Sequence, residues 1–472
     1  MTVDNINVED TIIKVREQMA NEPDMSPTVR ATLETLLLLV HILLNRLGLN
    51  SKNSSKAPSN DPNRTKKSAG SNGRKPGGQH GHAGTTLAPV SDPDEIVEIA
   101  LDKTTLPPGQ YMEVGYEARQ VIDIDIRKFV TEWRAQILQD ADGKHFTALF
   151  PDSVSRPVQY GVGVKVNSVY MSQHQLIPYN RVEEHFREQL QIPVSNGSIG
   201  NFNKEAYDLL EHFESWVINQ LGSSSLIHSD ETSINVGGIR KWLHNASNDL
   251  YTCYYPHAKR GSEAMDEMGI LPKFKGVLCH DHWKPYYKYG SAHALCNAHH
   301  LRELERSWEQ DGQQWAKQMS ELLLKINACT AEAGGCLRGE EANNFLQQYR
   351  KLLEEADKEC PAPDETSRKG QRGKAPRSKS RNLLERLRDF ESDVLRFMTD
   401  SNVPFSNNKA ENDLRMTKVQ QKISGCFRSI DGAKIFCRIR SYLSTCRKHG
   451  MSATTALRLL FEGQKPAFML TE

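Results

Sequence analysis

Between residues 226 and 281 the sequence stops repeating like a helix and starts repeating like strands, and this constrains the fold more than any other feature. Leu226-Ile227-His228-Ser229-Asp230 leads into Thr232 to Val236, and Gly237-Gly238 then turns the chain. Two more strands are expected at Arg240 to Asn245 and Leu250 to Tyr255, joined by Ser247-Asn248-Asp249. These three segments read as an antiparallel meander. A short helix is expected over 261–269. Gly276-Val277-Leu278-Cys279-His280-Asp281 is then a short apolar run, the pattern of a buried strand, and it ends in a carboxylate. A helix around Cys296 to Trp308 follows.

The rest of the chain divides around this block. Residues 1–50 read as an N-terminal helical segment. A helix starts at Ser26-Pro27, and along it Val29, Leu33, Leu36, Val40, Leu43 and Leu47 alternate steps of four and three up to Gly48. Such a seam fits either a coiled coil pairing two protomers or an amphipathic helix packed on its own chain. Residues 51–95 are expected to be a disordered linker, basic over 51–84. There Lys52, Lys56, Arg64, Lys66, Lys67, Arg74 and Lys75 face one acid, Asp61. Residues 96–150 read as a small β-rich module, because Ile122, Ile124 and Ile126 alternate with Asp123 and Asp125 and Asp142-Gly143 signals a turn. Residues 158–221 are helical with a helix-turn-helix cadence. Val182 to Leu190 forms a first helix, Ile192-Pro193-Val194-Ser195 the turn, and Ser195 caps a second helix from Asn196. A groove-reading unit and a plain helical hairpin both fit that cadence. Residues 309–400 form a helical insertion, broken over 361–382 by a stretch with seven Lys/Arg and two acids, and helical again over 383–398. Asn407-Asn408 caps a helix through Glu411, and 435–472 is a C-terminal helical region.

Composition narrows the setting. The net charge is +1, so any affinity for a polyanion must come from local clusters rather than from the total. All nine cysteines lie at or beyond Cys253 without the paired spacing of a disulfide framework, which favours a reducing compartment. Met1 to Asp10 is polar and acidic, unlike a signal peptide. The most apolar stretch, Leu36 to Leu44, is too short to span a bilayer. A soluble cytoplasmic protein without a membrane partner is expected.

Strand-strand-strand-helix-strand-helix is the order of a ribonuclease-H-like fold, here within a multidomain α/β chain whose core comprises 222–308 and 401–434. Asp230 and Asp281 then sit on adjacent strands, and Glu411 approaches from a helix. Phosphodiester transfer uses two hard cations about 3.5–4 Å apart, and three carboxylates from separate elements suit such a pair of Mg2+ or Mn2+ ions. Glu411, Arg415 and Lys418 are spaced to share one helix face, which Lys422 extends. A carboxylate for metal followed by cations for phosphate is one account of that face, and a solvated helix with an ordinary Glu/Arg pair is another.

Six segments together resemble the insertion-sequence-sixty-six transposase family of bacteria. They are NSSKAPSND (53–61), RKPGGQHGH (74–82), HSDET (228–232), VLCHDHW (277–283), the Cys-x-Ala-His-x-x-Arg pattern of Cys296, Ala298, His299 and Arg302, and SNNKAENDLRMTKVQQKISGCFRSIDGA (406–433). The resemblance implies a ribonuclease-H-like core with an Asp-Asp-Glu triad, Asp230, Asp281 and Glu411, and a helical insertion before the glutamate. It implies strand cleavage and transfer at the terminal inverted repeats of a mobile element and into target DNA. The partners expected with it are DNA, further copies of the chain assembled on that DNA, and accessory proteins encoded by the element, all at a bacterial nucleoid. His299 and Arg302 would touch the phosphate near the metals. The chain departs from the family in one respect. Where a cysteine-based zinc ribbon usually follows the linker, Leu106-Pro107-Pro108-Gly109 stands and no cysteine is present.

Two rivals remain. Cys279-x-x-His282 and Cys296-x-x-His299 have zinc-like spacing, which would make a non-catalytic zinc-stabilised DNA binder, although zinc is not expected because side chains diverge at a strand end. A nuclease or resolvase of the same fold uses the same metal pair. Neutralising Arg64, Lys66, Lys67, Arg74 and Lys75 together is expected to weaken binding to every DNA sequence and flatten its salt dependence. Titrations across a salt series check this, and an unchanged slope would reduce the linker to a tether.

Overall fold

The computed structural model describes residues 2–3, 6–22, 24–50, 52–54, 61, 87–363 and 377–470. Arg64, Lys66, Lys67, Arg74 and Lys75 of the linker lie outside the described residues, as does 364–376 of the basic break. Short strands β1 (Thr2–Val3) and β2 (Ile6–Asn7) precede helices α1 (Val8–Asn21) and α2 (Pro27–Leu47). α2 begins as its sequence requires. The Ser26 hydroxyl accepts the Val29 N–H, and Pro27 occupies the first turn. None of its residues is buried, and Val29, Leu36, Val40, Leu43 and Leu47 of the seam are exposed. The full helix extends well beyond Leu36–Leu44. By length and composition it is long and apolar enough to cross a membrane, so the shorter stretch understated its apolar length.

The expected β-rich module at 96–150 is corrected. Its strands are β3 (Ile137–Gln139) and β4 (His145–Thr147), one antiparallel hairpin with Phe146 opposite Leu138. Ile122, Ile124 and Ile126 form no strand and are 53%, 79% and 51% exposed. An alternating segment becomes a strand by burying one face against a partner, and these isoleucines have none to bury against.

Residues 162–222 are helical: α3 (Val162–Val169), a π-helical turn (Tyr170–His174), α4 (Tyr179–Leu190), α5 (Asn196–Leu209) and α6 (Glu211–Gly222). Ser195 caps α5 by accepting the Ser198 N–H. Val182, Phe186, Val194 and Ile199 are buried where α4 meets α5.

The sheet follows: β5 (Leu226–Val236), β6 (Ile239–Ser247), β7 (Thr252–His257), then α7 (Ser262–Met268), β8 (Val277–His280) and β9 (Ala292–Leu295). Its order is β7-β6-β5-β8-β9. β5–β6 and β6–β7 are antiparallel, while β5–β8 and β8–β9 are parallel. β9, four residues long, was absent from the sequence reading, which passed from Asp281 to the next helix. Gly237 and Gly238 have φ of +58° and +83°, the left-handed conformations a tight β5–β6 turn needs.

α8 (Asn297–Asp311), α9 (Gln314–Glu332), α10 (Gly339–Glu359), α11 (Lys379–Asp389), α12 (Glu391–Val394) and α13 (Arg396–Thr399) pack around Trp315, Leu323, Tyr349 and Leu384. That cluster reaches the sheet at Cys279, Ala294 and Leu295. Two boundaries of the insertion change. Helix resumes at Lys379, not 383, because Ser378 caps it and Arg381 is buried against Asp357 and Glu385. Over 383–398 the chain makes three helices rather than one. The chain ends with α14 (Asn408–Ser424), α15 (Ile430–Lys448) and α16 (Ala453–Phe461). The other sheet face, at Ile227 and Leu278, packs in one cluster with α5, α6, α15 and α16.

Gly276, at the entry to β8, leaves no room for a side chain. An added Cβ would lie 2.2 Å from the Ser225 carbonyl oxygen and 2.7 Å from the Phe274 ring. Val277 N–H donates to that same carbonyl at 2.8 Å and opens the β5–β8 ladder. Gly276→Ala is therefore expected to cost about 1–3 kcal/mol, the range for overpacking. Urea unfolding measures it, and a loss under about 0.5 kcal/mol, the usual surface effect, would mean the backbone yields there.

Candidate active site

Parallel pairing aligns the first two acids. Leu226, Ile227 and His228 sit opposite Val277, Leu278 and Cys279, a constant offset of 51 (277 − 226). Asp230 and Asp281 keep the same offset (281 − 230 = 51) two residues further along. Side chains alternate along a strand, so Asp230 shares a face with Leu226 and His228, and Asp281 with Val277 and Cys279. Leu226, Val277 and Cys279 all touch the insertion's core, so both acids belong to that side of the sheet.

The start of α14 is tied to the same face. Asn407 is buried. Its Nδ2 donates to the Ser229 carbonyl at 2.8 Å, and its Oδ1 lies 2.8 Å from His228 Nδ1. Its backbone N–H donates to Cys296 Sγ at 3.1 Å. Asn407 stands at the expected N-cap position of α14, but its side chain makes no cap bond and instead clamps the helix start to β5. Glu411, one turn into α14, has Oε1 3.7 Å from His299 Nδ1 and 3.6 Å from Arg302 Nη2 on α8.

Asp230 feels the other two carboxylates. Burial raises the proton affinity of Asp230 well above the ordinary carboxylate range, and the charges of Glu231, Asp281 and Glu411 raise it further. The Glu231 N–H, donating to Asp230 Oδ1 at 2.9 Å, works the other way. His299 is held below the usual histidine value by burial and Arg302, with Glu411 and Asp281 opposing. Glu411 Oε1, His299 Nδ1 and Arg302 Nε are buried without hydrogen-bond partners, so this corner has polar capacity that the described residues leave unused. Burial pushes the Cys296 thiol up to about 11 and His228 down to about 4, leaving both neutral at pH 7.

Of the expected cations, Arg415 and Lys422 are exposed on α14, whereas Lys418 donates from Nζ to the Ser233 carbonyl at 2.9 Å and so braces the helix on β5. Among the described residues the two zinc-like pairs form no joint four-ligand cluster. Cys279 is buried in the insertion's core, and His282 packs on Tyr287 and Phe390, its Nδ1 2.8 Å from the Tyr287 hydroxyl. The ligand atoms of Cys296, His299 and Glu411 lie within 4.8 Å of one another, as do those of His257, Glu263 and Glu267 away from the three acids.

Several site residues escaped the sequence reading. Glu231, on the opposite face from Asp230, accepts hydrogen bonds from the Tyr286 hydroxyl (2.5 Å) and Arg260 Nε (2.7 Å). Arg260 in turn lies over the rings of Trp242 and Trp283, 5.0 and 4.2 Å from their centroids. This network ties the residue after Asp230 to Arg260 and Tyr286. Its one sequence signal was a second acid directly after Asp230.

A mixed five-stranded sheet, with one acid within β5, a second just past the end of the parallel β8 and a third on a clamped helix, defines an α/β protein. The chain belongs to the transposase IS66 family, whose model matches residues 157–435, and is thus a DNA-processing enzyme. A family of unknown function matches residues 4–88. No curated protein matches the chain.

Asn407→Ala removes both side-chain bonds and leaves His228 and the Ser229 carbonyl unpaired. A loss of about 1–3 kcal/mol is expected for buried groups so orphaned. Denaturant melts measure it, and full stability in the variant would show that α14 is anchored elsewhere.

Proposed function

We propose that this transposase cuts and joins DNA strands at an Asp-Asp-Glu centre of Asp230, Asp281 and Glu411. The observation that carries the reading is the convergence of these acids: Asp230 on β5, Asp281 just past the end of the adjacent parallel strand β8, and Glu411 on α14, with the charges of Asp281 and Glu411 adding to the burial and the Glu231 charge that raise Asp230's proton affinity. The order β7-β6-β5-β8-β9, with three antiparallel strands followed by two parallel ones, supports a ribonuclease-H-like core over 222–308 and 401–434.

The residues fit a pair of hard divalent cations, Mg2+ or Mn2+. Their donors are carboxylate oxygens, their mutual repulsion is relieved by a cation, and Glu411 Oε1 is buried without a hydrogen-bond partner. Such ions, when bound, polarise the scissile phosphate and make water or a DNA 3′-hydroxyl a better nucleophile. The chain's own groups do the rest. Asp230, Asp281 and Glu411 would hold the ions. Arg302 and His299, beside Glu411, are placed to orient a phosphate oxygen. Arg415 and Lys422, exposed along α14, extend a cationic path for the backbone of the DNA. Zinc has weaker support here, because neither Cys279 nor His282 joins the cluster of Cys296, His299 and Glu411 among the described residues.

The remaining parts take roles around this centre. α4 and α5 make groove contacts within 158–221, and the basic linker follows phosphates. The exposed seam of α2 pairs copies of the chain on DNA. Terminal inverted repeats and target DNA are the substrates, on a bacterial nucleoid, with companion proteins of the element as further partners.

Asp230→Ala, Asp281→Ala and Glu411→Ala are each expected to abolish cleavage while leaving DNA binding largely intact. Purified protein with magnesium and labelled terminal repeats checks this. A variant cutting near the wild-type rate would remove that acid from the centre. Nicked products without joined ones would indicate a nuclease instead.

A further inference from the structure

Away from the carboxylate face, α14, α15, β7 and the π-helical turn enclose a cavity of about 330 Å³. Its lining includes Arg440, Arg447, Lys448, His174, Tyr254 and Asp413. Asp413 is two residues beyond Glu411, so on a helix their side chains point about 200° apart. α14 thus stands as a wall between the acidic centre and this cavity.

The cavity's charge is lopsided. Asp413 is its one carboxylate, and Lys448 already takes it, with Nζ 3.3 Å from Oδ2. Lys448 also donates to the Asn248 and Tyr251 carbonyls, so its ammonium is satisfied. Arg440 and Arg447, a helical i, i+7 pair on α15, are left over. Among the described residues neither has an ion-pair partner. Arg440 is only 8% exposed and donates from Nη1 to the His174 carbonyl at 3.3 Å. Nδ1 of His174 is itself buried without a partner. A buried guanidinium is normally paired, since leaving it unpaired in a low-dielectric site is costly. Here the one carboxylate, Asp413, is bonded to Lys448 and forms no ion pair with either arginine, and the exposed Arg447 marks an opening to solvent.

We propose that this cavity is a second phosphate site, in which Arg440 and Arg447 grip a backbone phosphodiester of the DNA on the far side of α14 from the cutting centre. The guanidinium fork matches phosphate oxygens in a way a single ammonium does not. Filling the site would neutralise Arg440 and press DNA against the helix that carries Glu411. The inference rests on the transposase reading of the acidic centre and deepens it by giving the DNA a second hold.

The test uses the full-length protein and a labelled duplex of arbitrary sequence, titrated across a salt series. Arg447→Ala, exposed and so tolerant of change, is the principal variant. Arg440→Gln is added, with a thermal melt to establish that it folds. Each lost phosphate contact is expected to lower the slope of log affinity against log salt by about 0.9, uniformly across sequences. A parallel arm follows the thermal stabilisation of wild type and Arg447→Ala by inorganic phosphate at constant ionic strength. An unchanged DNA slope in Arg447→Ala overturns the proposal. Where that slope is unchanged and phosphate stabilises only the wild type, the ligand is a free anion rather than DNA. If the Arg447→Ala slope falls, the site holds DNA whether or not Arg440→Gln folds. Wild type that cuts DNA while its arginine variants bind normally would sink this site alone. Wild type that neither binds nor cuts would sink the function above it.

Discussion

Asp230 and Asp281 lie 51 residues apart in sequence, and the parallel pairing of β5 with β8 removes that separation. A parallel ladder has a fixed register, and a slip of one residue would send an aspartate to the opposite face. Gly276 guards that register, because its missing Cβ lets the chain pass against Ser225 where the ladder begins. Everything proposed for the centre presumes this alignment. The third acid is added to it by a helix that must come back to the same strand ends after 129 intervening residues (282–410).

That return is solved by packing and by one buried amide. The insertion's helices share a core with Cys279, Ala294 and Leu295, so the long excursion is anchored on the sheet it leaves. Asn407 then binds β5 through Ser229 and His228, and the end of β9 through Cys296. Lys418 and Gln421 hold α14 further along by donating to the Ser233 carbonyl. Glu411 is thereby placed between a strand and α8, where His299 and Arg302 offset part of its charge.

Burying and crowding acids opposes folding, and the proton affinity of Asp230, raised first by burial and then by its acidic neighbours, reflects both. The structure offsets this from outside the centre. Glu231 is neutralised by Arg260 and bonded to Tyr286, and Arg260 is sandwiched by two tryptophans. A rigid frame beneath a repelling cluster keeps the acids together, an arrangement typical of sites tuned for function rather than stability.

Local patterns in the sequence were enough to place the meander, the β8 aspartate, α2 and its cap, the α4–α5 pair with the Ser195 cap, and the helical character of the insertion. Each of these depends on neighbours within a few residues: alternation, heptad spacing, or a hydroxyl three residues before an amide. The three acids were named from such segments and from the resemblance they carry. The failures share a cause. Ile122 to Ile126 alternates like a strand but has no partner face. Arg381 belongs to a basic stretch, yet it is buried because Asp357 and Glu385 come from elsewhere to meet it. Asn407 looked like a cap and acts as a clamp, since its partners are 178 and 179 residues away. The short β9, the Glu231–Arg260–Tyr286 network and the arginine cavity behind α14 likewise exist only where distant segments meet. By itself the sequence determined which residues could supply charge and where the chain turns. The tertiary structure alone decided which charges face one another, because burial and pairing belong to contacts between elements.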